Sequence, residues 1–432
     1  MKLSKNITRR NFIRNAAIVS SFFIVPRHVL GGKGYVAPND KIVLGFIGCG
    51  RQSGGLQRRF FNLPDAQIAA AADVYAMKLE KFIKTNNQLY AEKTGQSAYN
   101  ATSAHVDYRE VLANKDIDAV IIASPDHWHA AMSVDAAEAG KDIYCEKPLS
   151  LTVREGRAMV KAVRKNGRVF QTGSMQRSAK EFIQAVQLVR SGAIGDIKKI
   201  IVSVGGPPKD WDLQAEPTPE GLNWELWMGP NVIGRPYNNN LAPNFEATFW
   251  PRWRDYKEFG GGGMTDWGAH MFDIGQWGLG TDGSGPVKVI PPGEGRTSGL
   301  IFQYKNGAEM IHQPTAGKNY CHFFGTEGEV YVQRGELRTT PETLKDKVFD
   351  GSDYKIYVSD NHYQDFFNAI RTRKPPVCDV EVGHRTASVC NIGNIAYALQ
   401  RPLEWDPEKE KFKKDGEANK LLKRKMKKEW KV

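Results

Sequence analysis

Asp266-Trp267-Gly268-Ala269-His270 sets a carboxylate and an imidazole four residues apart, directly after the run Gly260–Gly263. If the segment is helical, residues i and i+4 share a face and the two side chains stand together. Histidine has the intrinsic pKa to take a hydroxyl proton near neutrality. Some 120 residues earlier Glu146-Lys147-Pro148 ends a short apolar stretch, and its lysine can hold the same oxygen and stabilise a developing alkoxide. That set suits oxidation of an alcohol with hydride passing to a nicotinamide. On residue types alone, an Asp/His pair on one helix is as readily a structural pair. Asp273 falls on the same side of that helix, nearer the interior, and is expected to be structural.

A nicotinamide needs a dinucleotide site, and the N-terminal half carries one. Lys41–Ile47 is a continuous apolar run of the kind buried on both faces of a parallel sheet. Gly48-Cys49-Gly50-Arg51-Gln52-Ser53-Gly54-Gly55 follows at once, spaced G-x-G-x-x-x-G, with a helix expected over 56–62. Glycines there allow a tight turn and let a pyrophosphate approach backbone N–H groups at a helix start. A second strand, 67–73, ends in Asp73, 25 residues after Gly48, where a carboxylate would take the adenosine-ribose hydroxyls. An acid at that position disfavours a 2′-phosphate, so NAD is expected in preference to NADP.

The alternation continues. A helix is predicted over 108–114, a strand over 119–123 ending in Ser124-Pro125-Asp126-His127-Trp128-His129, a helix over 130–139, and a strand over 142–145. In an open α/β sheet ligands sit beyond the carboxyl ends of the strands, so the loops 48–55, 124–129 and 146–148 should converge on one crevice. Beyond it, strands are predicted at 197–204, 300–304, 309–312, 322–325 and 329–333, and helices at 180–190, 363–372 and 385–400.

In this order the elements resemble the Gfo/Idh/MocA oxidoreductases, a family named from glucose–fructose oxidoreductase and inositol dehydrogenase. The resemblance rests on the Gly48–Gly55 loop, Ser124-Pro125 followed by His129, Glu146-Lys147-Pro148 and Asp266–His270, and spans roughly residues 40–400. It implies an α/β protein: a Rossmann domain over 40–172, then a substrate-binding and oligomerisation domain over 173–400 with a large, mainly antiparallel sheet. It further implies a homo-oligomer, dimer or tetramer, and carries over Lys147, Asp266 and His270 as the catalytic trio. Cofactor contacts are expected from Gly48, Gly50, Arg51, Gln52, Asp73, Ser124, Pro125, His127, His129, Glu146 and Lys147. His129 matches a family position and reads as orienting its loop, not ligating a metal; no metal site is expected. The tryptophan- and proline-rich insert 211–237 and the ending Trp405-Asp-Pro-Glu-Lys resemble a bacterial subgroup of sugar or glycoside dehydrogenases.

Substrate contacts are expected from Asp266, His270, Arg177, Arg252 and Trp253. The run from Trp250 to Lys257 mixes flat aromatic faces with charged donors, which suits a sugar and suits ordinary packing equally.

Composition narrows the rest. The net charge of +12 could suggest nucleic acid, but the excess is uneven: residues 408–432 hold 11 basic and 5 acidic side chains, and residues 1–14 hold five more basic ones. Residues 401–432 therefore read as a solvated basic tail and nucleic acid is not expected. No apolar run approaches the ~18 residues that span a bilayer, which excludes membrane insertion. Arg9-Arg10-Asn11-Phe12 followed by the short apolar stretch Ala16–Pro26 resembles a twin-arginine export signal, so residues 1–34 are expected to direct a folded protein to the periplasm. Five cysteines do not look like a disulfide framework. Three functions compete: a dehydrogenase of a sugar, polyol or glycoside hydroxyl; a glycoside hydrolase using bound NAD for transient oxidation and elimination; and a non-catalytic sugar sensor.

Overall fold

The computed structural model describes residues 40–349 and 356–432; the expected signal segment 1–34 lies outside them. The apolar runs of the N-terminal half become six parallel strands, β1 (Ile42–Ile47), β2 (Ala66–Ala72), β3 (Ser103–His105), β4 (Ala119–Ile122), β5 (Asp142–Cys145) and β6 (Phe170–Thr172), in the order β3-β2-β1-β4-β5-β6. The order reverses between β1 and β4, which opens a crevice at their carboxyl ends. Both central strands are apolar on both faces because helices cover each side: α1 (Arg51–Phe61), α2 (Ala76–Thr94), α3 (Tyr108–Ala113), α4 (Asp126–Glu138) and α5 (Val153–Lys165). The start of α5 is fixed by a capping box, Thr152 Oγ1 accepting from Glu155 N–H and donating to its carboxylate.

Two helix starts lie earlier than the sequence suggests. α1 begins at Arg51, so only Gly48–Gly50 form the turn and Gly54 and Gly55 are helical. α4 begins at Asp126, directly after Pro125, so the expected loop 124–129 is mostly helix.

The second half builds a nine-stranded sheet from β7 (Ile197–Ser203), β8 (Lys288–Ile290), β9 (Leu300–Gln303), β10 (Glu309–His312), β11 (Tyr320–Gly325), β12 (Glu329–Gln333), β13 (Glu336–Thr340), β14 (Leu403–Asp406) and β15 (Lys411–Phe412). Its order is β13-β12-β11-β7-β10-β9-β8-β14-β15, antiparallel at every pairing except β7 with β10. The remaining helices are α6 (Lys180–Arg190), α7 (Trp224–Met228), α8 (Gly263–Asp266), α9 (Gly268–Leu279), α10 (His362–Thr372), α11 (Val380–Leu399) and α12 (Gly416–Lys420). α6, α9 and α11 bury their apolar faces in one core with Ile200, Phe302, Met310 and Phe323 of this sheet.

The chain then returns to the first sheet. Phe366 and Phe367 of α10 pack on Phe60 of α1, and Trp430 joins the core around α4. The expected solvated tail 401–432 is accordingly corrected: β14 pairs with β8, Trp405, Phe412 and Leu422 are buried, and the basic side chains between them face outward. Alternation of apolar and basic residues, not composition, decided its place.

Candidate active site

At the end of β1 the chain turns at Gly48, whose φ of 90° and approach to the Ala123 carbonyl leave no room for a Cβ. Gly50 precedes α1 with no side-chain cap, so the first-turn amides are not taken by a cap. A Cβ at Gly50 would meet no atom within 4 Å. Gly50, Arg51 and Gln52 line a cleft that also takes in Asp73, Ser124, Pro125, Glu146 and Lys147. An open glycine turn under uncapped amides fits the pyrophosphate of a dinucleotide.

Asp73 follows β2, and its carboxylate accepts N–H bonds from Cys49 (2.7 Å) and Tyr75 (2.8 Å). The two amides fix its orientation while each oxygen keeps a further lone pair for a ribose hydroxyl. Burial raises its pKa against the opposing pull of Lys78 and the amides. Lys78 lines the same wall, its ammonium lowered by burial and partly held up by Asp73.

The opposite wall comes from the second half of the chain. Trp227, Phe245, Trp250, Trp253 and Arg254 line the cleft. Arg51 donates to the Ala247 carbonyl, and the Lys81 ammonium lies 4.0 Å from the Phe245 ring centre. Cation–π and hydrogen-bond contacts thus tie this loop to both helices flanking the glycine turn.

At the inner end Lys147 follows β5, and its Nζ donates to Asp266 Oδ1 (2.7 Å) and to the Asp266 carbonyl (2.9 Å). Arg254 Nε lies 3.4 Å from the same Oδ1. Burial works to raise the Asp266 carboxyl, but Lys147 and Arg254 overcome it and hold the group well below the usual carboxylate range. Gly262 brings the segment in: its φ is 70° and its Cα passes against the backbone of residues 206–208.

His270 is buried, and burial followed by Lys147 and Arg334 pushes its imidazole well below 6.5, against the opposing Asp266. The ring is neutral at pH 7. Arg334, in the turn between β12 and β13, donates to His270 Nε2 at 3.1 Å and lies 4.5 Å from the Trp267 ring centre. An arginine only donates, so Nε2 carries the lone pair and Nδ1 the proton. His270 Nδ1 has no hydrogen-bond partner among the described residues. The expectation that Asp266 and His270 pair on one helical face is corrected: α8 ends at Asp266, α9 begins at Gly268, and the carboxylate bonds Lys147 instead.

The other expected residues divide. Trp253 lines the cleft beneath the Arg254 guanidinium, 4.1 Å from its ring centre. Arg252 does not: its side chain is exposed, and the inward arginine of the short turn Arg252–Asp255 is Arg254. Arg177 is no substrate contact; it is sealed in the core, donating to both oxygens of Asp273 and of Asp282. His127 faces away from the cleft because α4 starts at Asp126; its Nε2 donates to the Trp227 carbonyl, and burial lowers its pKa to about 3. His129 is equally buried, at about 4, and its ring lies between the carbonyls of Pro148 (2.8 Å) and Ser124 (2.9 Å), linking two cofactor loops. A neutral ring donates to only one of them. Lys78, Arg334 and Trp430 carried no signal in the sequence, and Asp126 and Arg254 only that of the runs 124–129 and 250–257. The five cysteines are free and buried.

A parallel sheet with a glycine turn at its switch point and Lys147 after its fifth strand, joined to a second half whose helices set Asp266 on that lysine and a buried histidine nearby, defines a two-domain dinucleotide-type protein. Residues 42–174 match the Gfo/Idh/MocA oxidoreductase family, NAD-binding Rossmann fold, and residues 185–432 match its C-terminal alpha/beta domain. The chain belongs to this family. It is similar to an uncharacterised oxidoreductase, YrbE, of Bacillus subtilis, 25% identical over 383 residues that cover 84% of this chain and 94% of that one. It is also similar to a glycosyl hydrolase family 109 protein of a Shewanella species, 28% identical over 212 residues, a match spanning 44% of each chain. Among solved structures it resembles the WlbA dehydrogenase of Bordetella pertussis, in complex with NADH and UDP-GlcNAcA, at a TM-score of 0.58 and 19% identity, covering 85% of this chain and 98% of that one.

Proposed function

We propose that this oxidoreductase-family protein oxidises a hydroxyl of a sugar, polyol or glycoside with NAD held in the cleft, works in the periplasm and retains its NAD through the cycle. The observation that carries the reading is Lys147 at the inner end of a cleft that fits a dinucleotide, paired with Asp266 and with the buried, neutral His270 close behind them. When bound, NAD supplies the two-electron acceptor for the carbinol carbon. The chain's own residues handle the proton. Lys147 Nζ donates to the substrate oxygen while Asp266 keeps the side chain aimed. His270 accepts the hydroxyl proton at Nε2, which requires Arg334 to turn aside as substrate enters. The indole and guanidinium of Trp253 and Arg254 offer a flat face and donors for a sugar ring.

Asp73 supports NAD over NADP, because a 2′-phosphate beside a carboxylate is repelled. Retention of NAD follows from the expected export: no maintained pool of soluble NAD exists outside the cytoplasm. The half-exposed aromatic residues Tyr320, His322 and Phe324 of the large sheet support a homo-oligomer, dimer or tetramer.

The glycosidase relatives favour a second reading, in which oxidation is transient, the glycosidic substituent is eliminated and the sugar is reduced again. The test begins by denaturing protein purified without added cofactor and assaying the released nucleotide. NAD and NADP are then titrated against wild type and Asp73→Ala, and glycosides and keto-sugars are screened while bound-NADH absorbance is followed. Released NAD with accumulation of keto-sugar supports the dehydrogenase; liberated aglycone without net oxidation supports the second reading. Empty protein active only in millimolar NAD overturns retention, and tighter binding of NADP overturns the cofactor preference.

A further inference from the structure

The basic ending of the chain is unused by the chemistry above, yet it crosses the domain that holds the cleft. Leu422 is buried, and its carbonyl accepts the Arg154 N–H at 3.0 Å at the start of α5. Arg424 donates to Glu155 (2.7 and 2.9 Å), to Asn231 Oδ1 (2.5 Å) and to the His127 carbonyl (2.6 Å). Lys427 N–H donates to the Pro230 carbonyl at 2.9 Å, and Met426 bridges to Asn231. These bonds fix a non-helical segment on both sides, so its position is specified and not merely permitted.

The turn Lys428–Trp430 then places Trp430 against Trp128, with ring centres 4.8 Å apart at 74°, and Tyr108, at 6.1 Å. The Arg109 guanidinium lies 4.5 Å from the Trp430 ring centre. Trp430 is only 6% exposed, yet it lines the cleft beside Val106, Tyr108 and Trp128. Val106 and Tyr108 follow β3, whose His105 carbonyl accepts the Asp73 N–H. This wall therefore lies past Asp73, on the side away from Lys147. Lys423, Lys425, Lys428 and Lys431 are exposed, so the positive charge of the segment is its solvated outer face.

We propose that Leu422–Val432 is a strap closing the adenosine end of the cleft, with Arg424 as its anchor and Trp430 as a cofactor-retaining residue. The inference rests on the reading that the cleft holds NAD. An aromatic wall is suited to a base because every base has a π face, and removing such a contact costs roughly 1–3 kcal/mol, about fivefold to a hundredfold in affinity. No residue of the strap belongs to a strand of either sheet, so it can lift without breaking a sheet pairing.

The test uses the full chain loaded with NAD. Dissociation of NAD is followed after dilution for wild type, Trp430→Ala and Trp430→Phe. Release is expected about tenfold or more faster from Trp430→Ala, with Trp430→Phe restoring most of the retention. A second measurement needs no variant. If the strap closes on NAD, then NAD must in turn hold the strap, since coupling is reciprocal. Amide hydrogen exchange over residues 424–430 of the wild type should slow at saturating NAD. Equal release rates from wild type and Trp430→Ala, or strap exchange indifferent to NAD, overturns the proposal. A wild-type chain that binds neither NAD nor NADP overturns the cofactor reading itself, and the strap with it.

Discussion

Seven residues separate Asp266 from Asp273, and each carboxylate meets a cation delivered from the first half of the chain. Asp266 meets Lys147, with side chains 25% and 15% exposed; Asp273 meets Arg177, at 1% and 2%. The second cluster is complete. Arg177 forks onto Asp273 and Asp282, Thr386 donates to Asp273, and Trp277 lies under the guanidinium. The first is unfinished: Lys147 gives two of its three protons to one residue, and the His270 ring beside it has a nitrogen with no partner among the described residues. Chemistry needs a group that can still change partners. The same residue types therefore make a structural clamp where every bond is made, and leave a cluster able to change partners where one is not.

The comparison breaks most visibly at the open cluster. Lys147→Ala and His270→Ala should each lower kcat by ~10²–10⁴-fold while circular dichroism and NAD binding stay at wild-type values. Asp266→Asn should be milder, since it leaves a neutral acceptor for Lys147. Wild-type kcat in either alanine variant would remove that residue from the trio.

The closed cluster should respond in the opposite currency. Arg177→Met strands the buried Asp273 carboxylate and should cost ~3–5 kcal/mol of folding stability. Denaturant unfolding measures the loss, and turnover per folded molecule should hold. A variant that folds normally but loses activity would return Arg177 to the substrate.

Acid should separate buried histidines from carboxylates. Burial lowers His127 to about 3 and His129 and His362 to about 4. The unfolded chain binds protons on these rings near 6.5, whereas the native chain does not. Their contribution is therefore complete above about 6.5 and is lost steadily as pH falls towards 4. Thermal melts at pH 7.5, 6 and 5 should fall in that order; a flat series would mean that the rings are not buried neutral. The smallest effect is expected at Arg252→Ala, within ~0.5 kcal/mol of wild type and with unchanged kcat. A large loss of kcat there would show that the exposed arginine, and not Arg254, meets substrate.

What could be read from the residues followed the range of the interactions concerned. β1, the glycine turn, β2 and Asp73 are contiguous, and their signals are local. Lys147, Asp266 and His270 could be grouped because a family resemblance supplied the long-range link that spacing lacks. Arg252 and Arg254 lie in one aromatic run, and only the short turn Arg252–Asp255 decides which faces the cleft. His127 was misplaced by one helix start. Arg334 sits in a turn whose second strand, β13, carries no clear period-2 signal. Trp430 needed a contact with residues more than three hundred positions earlier, which no local pattern records.

That last kind of contact has a consequence in time. α1, which presents the glycine turn, buries Phe60 against Phe366 and Phe367, which leave the ribosome roughly 300 residues later, or about 15–60 s at ~5–20 residues/s. The nascent cofactor domain emerges early but waits, with one flank of Phe60 uncovered, for helix α10, and then for Trp430. A chain cut short before α10 leaves that flank of the cofactor domain bare.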